Sequence, residues 1–162
     1  MIQNQFLSPH FELREFIASR KAQEHGITNI PTEEAVSNLR RLCENTLEPL
    51  REGLGLPVMI TSGFRTKSLN AMLAHASERS QHMAGQAADF YVGHGSREEL
   101  IKAFREILTN PKIDFDQLIL YPSFIHVSYV SKEKNRRGIL LARSDGKLGY
   151  GRITRANARK IN

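Results

Sequence analysis

The sequence predicts a single α+β domain, in which a small antiparallel sheet has helices packed on one side. A length of 162 residues is close to one ordinary domain, and 40% hydrophobic with 25% charged residues is a globular composition. Helical patterns come first, and β-rich segments cluster late in the chain with tight connections. This order favours α+β over a doubly wound α/β sheet.

Two helices are predicted before the first strand. Residues 12–19 form a short one, with apolar side chains on one side. The second begins after Thr32, a good N-cap residue, and its apolar positions follow in steps of three and four from Val36 to Leu54. Pro49 lies inside this pattern and should kink the helix or end it, and Gly55 stops whatever remains.

The next elements follow from short apolar runs and a capping signal. Strands are predicted at residues 58–61, which should be buried, and at residues 87–92, with a helix at residues 66–74 between them. Ser96 and Glu99 form a capping box, which predicts that another helix begins there.

The last elements are rich in β-forming residues. Residues 115–121 and 124–130 are separated only by Pro122-Ser123, a link too short for anything but antiparallel neighbours. Residues 139–141 predict a last strand. These strands complete the predicted sheet.

The composition excludes several classes of protein. The single cysteine, Cys43, cannot form an internal disulfide or build a cysteine-based metal site by itself. No stretch approaches the roughly 18 uninterrupted apolar residues of a membrane span. Residues 1–6 contain neither the basic segment nor the apolar run of a secretory signal, so we expect a soluble protein made in the cytoplasm.

Positive charge is concentrated near the C-terminus. The formal net charge is +6, and residues 132–160 carry ten basic against two acidic residues. A basic segment favours a polyanionic partner, namely nucleic acid, anionic cell-wall polymer or a membrane surface, while a solvated surface that only keeps the protein soluble is the alternative. We expect a domain at 1–145 and a basic, loosely held tail at 146–162.

Two of the six histidines lie in patterns typical of metal ligands. His82 stands seven residues before Asp89, and small residues between them allow a turn that brings both side chains together. His126 lies in an alternating strand, where it and Ser128 face a cleft if their odd-numbered neighbours are buried. Two imidazoles and a carboxylate suit Zn²⁺, with a fourth position for water, and also Fe(II). Alternatively, Asp89 caps a turn and His82 lies in a surface loop.

Arg65 is a candidate for contacts to substrate. It follows Ser62-Gly63 at the predicted end of a strand, in a loop that should open on the same cleft. A planar guanidinium suits a peptide carboxylate or a developing oxyanion. For one arginine among many, a surface charge is the alternative.

Five short blocks of sequence occur in an order that resembles one known family. Over about residues 7–141 the chain is similar to the zinc D-Ala-D-Ala carboxypeptidase-like peptidases, relatives of the vancomycin-resistance dipeptidases and of phage peptidoglycan endopeptidases. The blocks are Ser62-Gly63-Phe64-Arg65-Thr66, Leu69-Asn70, Ser80-Gln81-His82 followed by Gly85, Ala87, Asp89 and Phe90, Phe115-Asp116-Gln117-Leu118-Ile119, and Ile125-His126-Val127-Ser128-Tyr129.

The resemblance implies a fold shared with the hedgehog signalling domain, with one zinc ion per chain on one face of the sheet. It implies His82, Asp89 and His126 as the zinc ligands, and Arg65 as a contact to the substrate and transition state. Ser80-Gln81 precedes a ligand and is expected to orient His82. Ser128, on the same strand face as His126, is expected to support a ligand or contact the substrate.

The sequence departs from its relatives at the general base. Several relatives carry a glutamate three residues before the final histidine or a histidine two residues before it, where this chain has Ser123 and Phe124. Asp116, on the neighbouring strand, is the preferred substitute, and a salt bridge is the alternative role for this carboxylate. Tyr121 is a weaker candidate, because a phenol must be strongly activated to act as a base.

These observations predict a zinc-dependent peptidase that cleaves the D-amino-acid-containing stem peptides of bacterial peptidoglycan, as a carboxypeptidase or an endopeptidase. The basic tail would bind anionic cell-wall polymer. A metal-bearing wall-binding module without a working base is one alternative. Nucleic-acid binding is disfavoured, since Tyr150 is the tail's one stacking aromatic. Without a secretory signal, the protein would reach the wall through phage-type lysis or on a virion.

Overall fold

The first half of the chain is mostly helical in the computed structural model, which describes residues 5–74, 76–142 and 148–149. A short hairpin precedes the helices. The elements are β1 (Phe6–Ser8), β2 (Phe11–Glu12), α1 (Leu13–Ile17), α2 (Arg20–Glu24), α3 (Glu33–Leu42) and α4 (Glu48–Leu54). The predicted short helix at 12–19 corresponds to α1, and α2 is an addition to the prediction.

The predicted long helix contains a π-helical segment. Thr32 caps α3 as predicted, because its side-chain oxygen accepts a hydrogen bond from the Ala35 N–H at 3.2 Å. The π-helical segment, Cys43–Leu47, joins α3 to α4. Pro49 lies in the first turn of α4, where a missing N–H costs little, and Gly55 ends the helix at φ 63°. The disturbance expected at Pro49 is therefore a π-helical segment and not a break.

A six-stranded sheet is formed mainly by the second half of the chain. Its strands are β3 (Val58–Ser62), β4 (Ala87–Val92), β5 (Gln117–Leu120), β6 (Ile125–Ser128), β7 (Gly138–Ala142) and β8 (Leu148–Gly149). Their spatial order is β3-β4-β6-β5-β7-β8, and neighbours are antiparallel except β5 and β7, which run parallel. The predicted α+β class is confirmed, and the parallel pair is an exception to the predicted antiparallel sheet.

Helical segments connect several of these strands. They are α5 (Lys67–Ala71), a 3-10 helix (Gln81–Ala84) and α6 (Arg97–Thr109). The capping box of Ser96 and Glu99 is present at the start of α6, as predicted. By contrast, α5 ends three residues earlier than the predicted helix at 66–74.

The strand predicted to be buried, β3, is an edge strand of the sheet. Its residues alternate between buried or half-buried and exposed, and Met59 is 43% exposed. The prediction of a buried strand is therefore wrong, because among the described strands β3 has only β4 beside it, and it packs through one face.

The two faces of the sheet have different environments. Ile125 and Val127 of β6 are fully buried and join helical residues such as Phe104 in one hydrophobic core. The predicted burial of the odd-numbered positions of β6 is confirmed. His126 lies between them in sequence and therefore projects from the opposite face.

The predicted boundary between a domain at 1–145 and a tail at 146–162 falls outside the described residues, apart from β8. The backbone of β8 pairs with β7. The division of the chain stays a prediction. Within the described ranges, no helix has the length and apolar character needed to cross a membrane.

Candidate metal centre

The sheet places Asp89 and His126 side by side. Asp89 of β4 pairs with His126 of β6, and His126 pairs in turn with Ile119 of β5. Directly paired residues of an antiparallel ladder project from the same face. The Nδ1 atom of His126 lies 2.7 Å from Oδ1 of Asp89. A carboxylate and an imidazole thus meet on the face away from the core.

The third candidate ligand, His82, lies on the 3-10 helix. It is only 3% exposed, so the surface-loop alternative is wrong. Gly85 follows this helix at φ 69°, and a β-carbon at this position would clash with the carbonyl of Ala35 in α3. Glycine is therefore required here both for the backbone conformation and for the close approach to α3. This contact fixes the distance between the 3-10 helix and α3.

One ring nitrogen of His82 is hydrogen-bonded to the backbone. Its Nδ1–H donates to the carbonyl of Gly63 at 2.6 Å, and its Nε2 lies 3.4 Å from Oδ1 of Asp89. Gly63 packs so closely on α1 that a β-carbon there would lie 2.6 Å from the Cα of Phe16. The hydrogen bond to a carbonyl selects the tautomer in which Nε2 carries the free lone pair.

Burial and local charge hold these donors in the forms that a metal ion requires. Burial lowers the pKa of His82, although Asp89 opposes the shift, so this imidazole is neutral at pH 7. Burial alone would raise the pKa of Asp89, but the hydrogen bond from His126 and the proximity of His82 outweigh it and hold that pKa well below its usual range. Asp89 is therefore an ionised carboxylate, ready to coordinate a cation.

The donor set fits a zinc ion. One nitrogen of each histidine and one oxygen of Asp89 all lie within 4.8 Å of one another. Tetrahedral bonds of about 2.0–2.1 Å separate ligand atoms by about 3.4 Å, and His82 Nε2 is 3.4 Å from Asp89 Oδ1. Three protein ligands with one position open are typical of catalytic zinc. The structure thus brings the predicted ligands together.

Arg65 lies beside these ligands, in the loop after β3. Its Nη2 is 3.6 Å from Oδ2 of Asp89, and its Nη1 donates to Oδ1 of Asn70 at 3.3 Å. Among the described residues, its buried Nε has no hydrogen-bond partner. Burial lowers the pKa of Arg65 and Asp89 opposes this, but a guanidinium stays charged at neutral pH. Its side chain is 12% exposed, which does not fit a solvated surface charge.

The buried carboxylate of Asp116, the preferred general base, forms an ion pair with the exposed side chain of Arg136. Arg136 donates from Nε to Oδ1 at 2.9 Å and from Nη2 to Oδ2 at 2.6 Å, and Gln81 Nε2 donates to Oδ2 at 2.9 Å. Burial alone would raise the pKa of Asp116, but these donors lower it to about 2. The structure therefore shows the salt-bridge alternative. A carboxylate held in this way accepts a proton poorly at neutral pH.

Ser128 and Ser80 support the backbone near the site. Ser128 is fully buried, and its hydroxyl accepts from the Gln117 N–H at 3.1 Å and donates to Asp116 at 3.4 Å. Ser80 precedes the 3-10 helix, and its carbonyl accepts from the Met83 N–H at 3.1 Å. Their expected influence on the ligands stays a prediction.

Tyr121 continues the face that carries His126. Its N–H donates to the carbonyl of Phe124 at 2.9 Å, and the two rings stack with centroids 4.3 Å apart. Burial and the charge of Asp89 raise the pKa of Tyr121. The phenol therefore stays protonated at neutral pH and can donate a hydrogen bond, whereas a base would have to lose that proton.

Two contributors to the site were missed by the sequence reasoning. Arg136 is one of the ten basic residues of the segment at 132–160, and only its ion pair with the buried Asp116 distinguishes it. Gly63 acts through its carbonyl oxygen, which every residue possesses. The position of Gly63, between a predicted strand and Arg65, was the sequence feature that could have indicated its role.

A comparison with protein families agrees with this geometry. The model of the peptidase M15 family matches residues 9–128, which include the candidate ligands and Arg65. The comparison with curated proteins gave no match. Since the family match spans well over half of the sequence and agrees with the donor set, the chain belongs to the peptidase M15 family, the zinc D-Ala-D-Ala carboxypeptidase-like metallopeptidases.

Proposed function

We propose that the protein is a zinc-dependent peptidase that cleaves the D-amino-acid-containing stem peptides of bacterial peptidoglycan. One observation carries the proposal: His82, Asp89 and His126 converge on one face of the sheet, and the guanidinium of Arg65 lies 3.6 Å from the shared carboxylate. Three ligands beside a fixed positive charge suit hydrolysis of a peptide that ends in a carboxylate.

The protein's own groups would hold the ion in a defined geometry. His82 Nε2, a nitrogen of His126 and a carboxylate oxygen of Asp89 are the donors. When bound, zinc supplies a Lewis acid that polarises the scissile carbonyl and lowers the pKa of water to about 7. The hydrogen bond from His82 Nδ1 to Gly63 keeps the ring of this ligand oriented.

Arg65 would bind the substrate. Its Nη1 is shared with Asn70 and its Nη2 approaches Asp89, and each of these two nitrogens carries a second N–H. A guanidinium with unused donors can bind the terminal carboxylate of a peptide or the oxyanion that develops at the scissile carbonyl. Tyr121, a protonated phenol on the same face as His126, would donate a second hydrogen bond to the substrate.

Peptide hydrolysis also needs a group that accepts a proton, and the partners of Asp116 oppose that role. For Asp116 to act as the base, its carboxylate would have to release Arg136 and Gln81. This observation favours a second candidate function, a metal-bearing module that binds wall peptide without cleaving it. The tail at 146–162 is proposed to bind anionic wall polymer in either case, and delivery by phage-type lysis stays a prediction from the sequence.

Purified peptidoglycan and a peptide ending in D-Ala-D-Ala are the substrates for the test. We expect amine release that a chelator abolishes and Zn²⁺ restores, with His126→Ala inactive and the exposed Arg137→Gln variant unaffected. Mass spectrometry of the fragments then separates loss of a terminal residue from cleavage of a cross-link. Fully metallated protein that releases no amine from either substrate overturns the catalytic proposal, and binding to peptidoglycan without release supports the second candidate.

A further inference from the structure

We propose that Asp116 is a positioning residue: its carboxylate orients the ligand His82 through the side chain of Gln81, and Arg136 holds that carboxylate in place. We call Asp116, Arg136 and Gln81 the ion-pair cluster. The inference rests on the metal centre of the proposed function and does not depend on which substrate is cleaved.

The first step is the rigidity of the Asp116 carboxylate. It is 1% exposed and receives both Nε and Nη2 of Arg136, together with the Arg136 backbone N–H at 2.8 Å. A guanidinium that binds both oxygens of a carboxylate fixes its plane as well as its position. Ser128 donates a further hydrogen bond at 3.4 Å. Asp116 therefore presents Oδ2 in one direction.

The second step is the transfer of this rigidity to the 3-10 helix. Gln81, the first residue of that helix, donates from Nε2 to Asp116 Oδ2 at 2.9 Å, and its Oε1 accepts from Arg136 Nη2 at 3.4 Å. Its backbone carbonyl accepts from the Gln86 N–H at 3.0 Å. Gln81 is thus fixed through both its amide group and its backbone, one residue before His82.

The third step is the position of His82 between two supports. The Arg65 N–H donates to the His82 carbonyl at 3.2 Å, and the ring bonds to Gly63 at 2.6 Å. The ion-pair cluster fixes the start of the 3-10 helix, whereas the loop of Gly63 and Arg65 fixes the ligand itself. Loss of the cluster should therefore leave His82 present but poorly aimed, which weakens metal binding without removing a ligand.

A neighbouring ion pair provides a matched control. Arg137 donates from Nε to Oδ1 of Asp114 at 3.1 Å. Arg137 is the residue after Arg136, and Asp114 lies two residues before Asp116. The side chains of Arg137 and Asp114 are 48% and 22% exposed, respectively. Asp114 bonds also to Asn135 at 2.9 Å, so it supports the same loop as the ion-pair cluster. If the ion-pair cluster only stabilised this loop, loss of either ion pair should have the same effect on Zn²⁺ binding.

The test measures Zn²⁺ affinity by competition with a chromophoric chelator, and the visible spectrum of the Co²⁺-loaded protein as a report on ligand geometry. The variants are Gln81→Met, Asp116→Asn and Arg136→Gln, with Asp114→Asn and Arg137→Gln as controls. We expect Zn²⁺ affinity to fall by roughly 10- to 100-fold in the first group, with a changed Co²⁺ spectrum, and by less than about 2-fold in the controls.

The outcomes separate this inference from the metal centre itself. Unmodified protein that fails to bind Zn²⁺ contradicts the proposed function. Unmodified protein that binds Zn²⁺ while Gln81→Met binds it equally well, with an unchanged Co²⁺ spectrum, overturns the positioning role. Asp116→Asn leaves Arg136 without its carboxylate and could unfold, so Gln81→Met, which keeps the ion pair, decides the result. Thermal unfolding of the metal-free variants confirms that each one is folded.

Discussion

Asp89 of β4 and Asp116, the residue just before β5, are both poorly exposed carboxylates with a pKa below the usual range, yet their partners differ. Asp116 accepts hydrogen bonds from a guanidinium, from the N–H of an amide and from a hydroxyl. Asp89 meets two imidazoles and, at 3.6 Å, one guanidinium.

The comparison shows that a low pKa does not by itself identify a chemical role. Imidazole nitrogens can turn their lone pairs to a metal ion, so the partners of Asp89 become fellow ligands when a cation is bound. The donors around Asp116 have no such second function, and this carboxylate is therefore structural. The character of the neighbours, more than the charge of the carboxylate, separates a metal ligand from a positioning residue.

The largest expected effect is the loss of Zn²⁺ binding in Asp89→Asn. A neutral amide removes the anionic ligand. Zn²⁺ affinity should therefore fall by more than the roughly 100-fold loss that follows replacement of a residue hydrogen-bonded to a ligand. Isothermal titration with Zn²⁺ measures this. If Asp89→Asn binds Zn²⁺ like the unmodified protein while Asp116→Asn does not, the roles assigned to the two aspartates are reversed.

A smaller effect is expected for Arg65→Lys, which keeps the positive charge beside Asp89 but loses the planar fork. We expect kcat/KM for a cleavable wall peptide to fall by roughly 100-fold, because a directed donor to the substrate is lost. Zn²⁺ affinity should stay near that of the unmodified protein. A parallel loss of Zn²⁺ binding would place Arg65 among the supports of the ligands instead.

Acid should weaken the ion-pair cluster. The pKa of Asp116 is lowered from 3.8 to about 2 in the folded chain, so its stabilisation is complete above pH 3.8 and is lost as the pH falls through 2. The shift corresponds to about 2 kcal/mol of unfolding free energy. Urea unfolding between pH 5 and pH 2 measures it. Asp116→Asn should lack this contribution to the pH dependence, and an unchanged profile would contradict the assignment.

The smallest expected effect concerns the pKa of Tyr121. The charge of Asp89 contributes to its elevation, after burial. In metal-free Asp89→Asn the phenol should therefore titrate at lower pH than in the metal-free parent protein. Phenolate absorbance measures this, and subtraction of a Tyr121→Phe titration isolates the residue. An unaltered titration would mean that the field of Asp89 does not reach the ring.

Elements with strong local signals could be predicted from the sequence. The capping box at Ser96 and Glu99 begins α6, and the apolar run of β4 lies where it was expected. The parallel pairing of β7 on β5 could not be predicted, because it depends on contacts such as Leu118 with Ile139, which are distant in sequence. Local patterns identify elements, whereas long-range register decides their neighbours.

The candidate site was predictable to the same extent. Spacing and family resemblance together indicated three candidate ligands, and the structure brings them together on a sheet and one turn. The fate of Asp116 was left open between a free base and a salt bridge. Arg136, on the loop after β6, decides between them, and a sequence alone does not show which of many arginines lies over a given carboxylate.

The bond from His82 to the Gly63 carbonyl also bears on how the site can evolve. Its acceptor belongs to the main chain, so no exchange of a side chain deletes it. A substitution outside His82 can disturb this hydrogen bond only by displacing the peptide group of Gly63. A bulkier residue at position 63, which would press on Phe16, is one example. Homologous proteins whose substrate preference has changed should therefore keep the orientation of the His82 imidazole, even where the surrounding cleft differs.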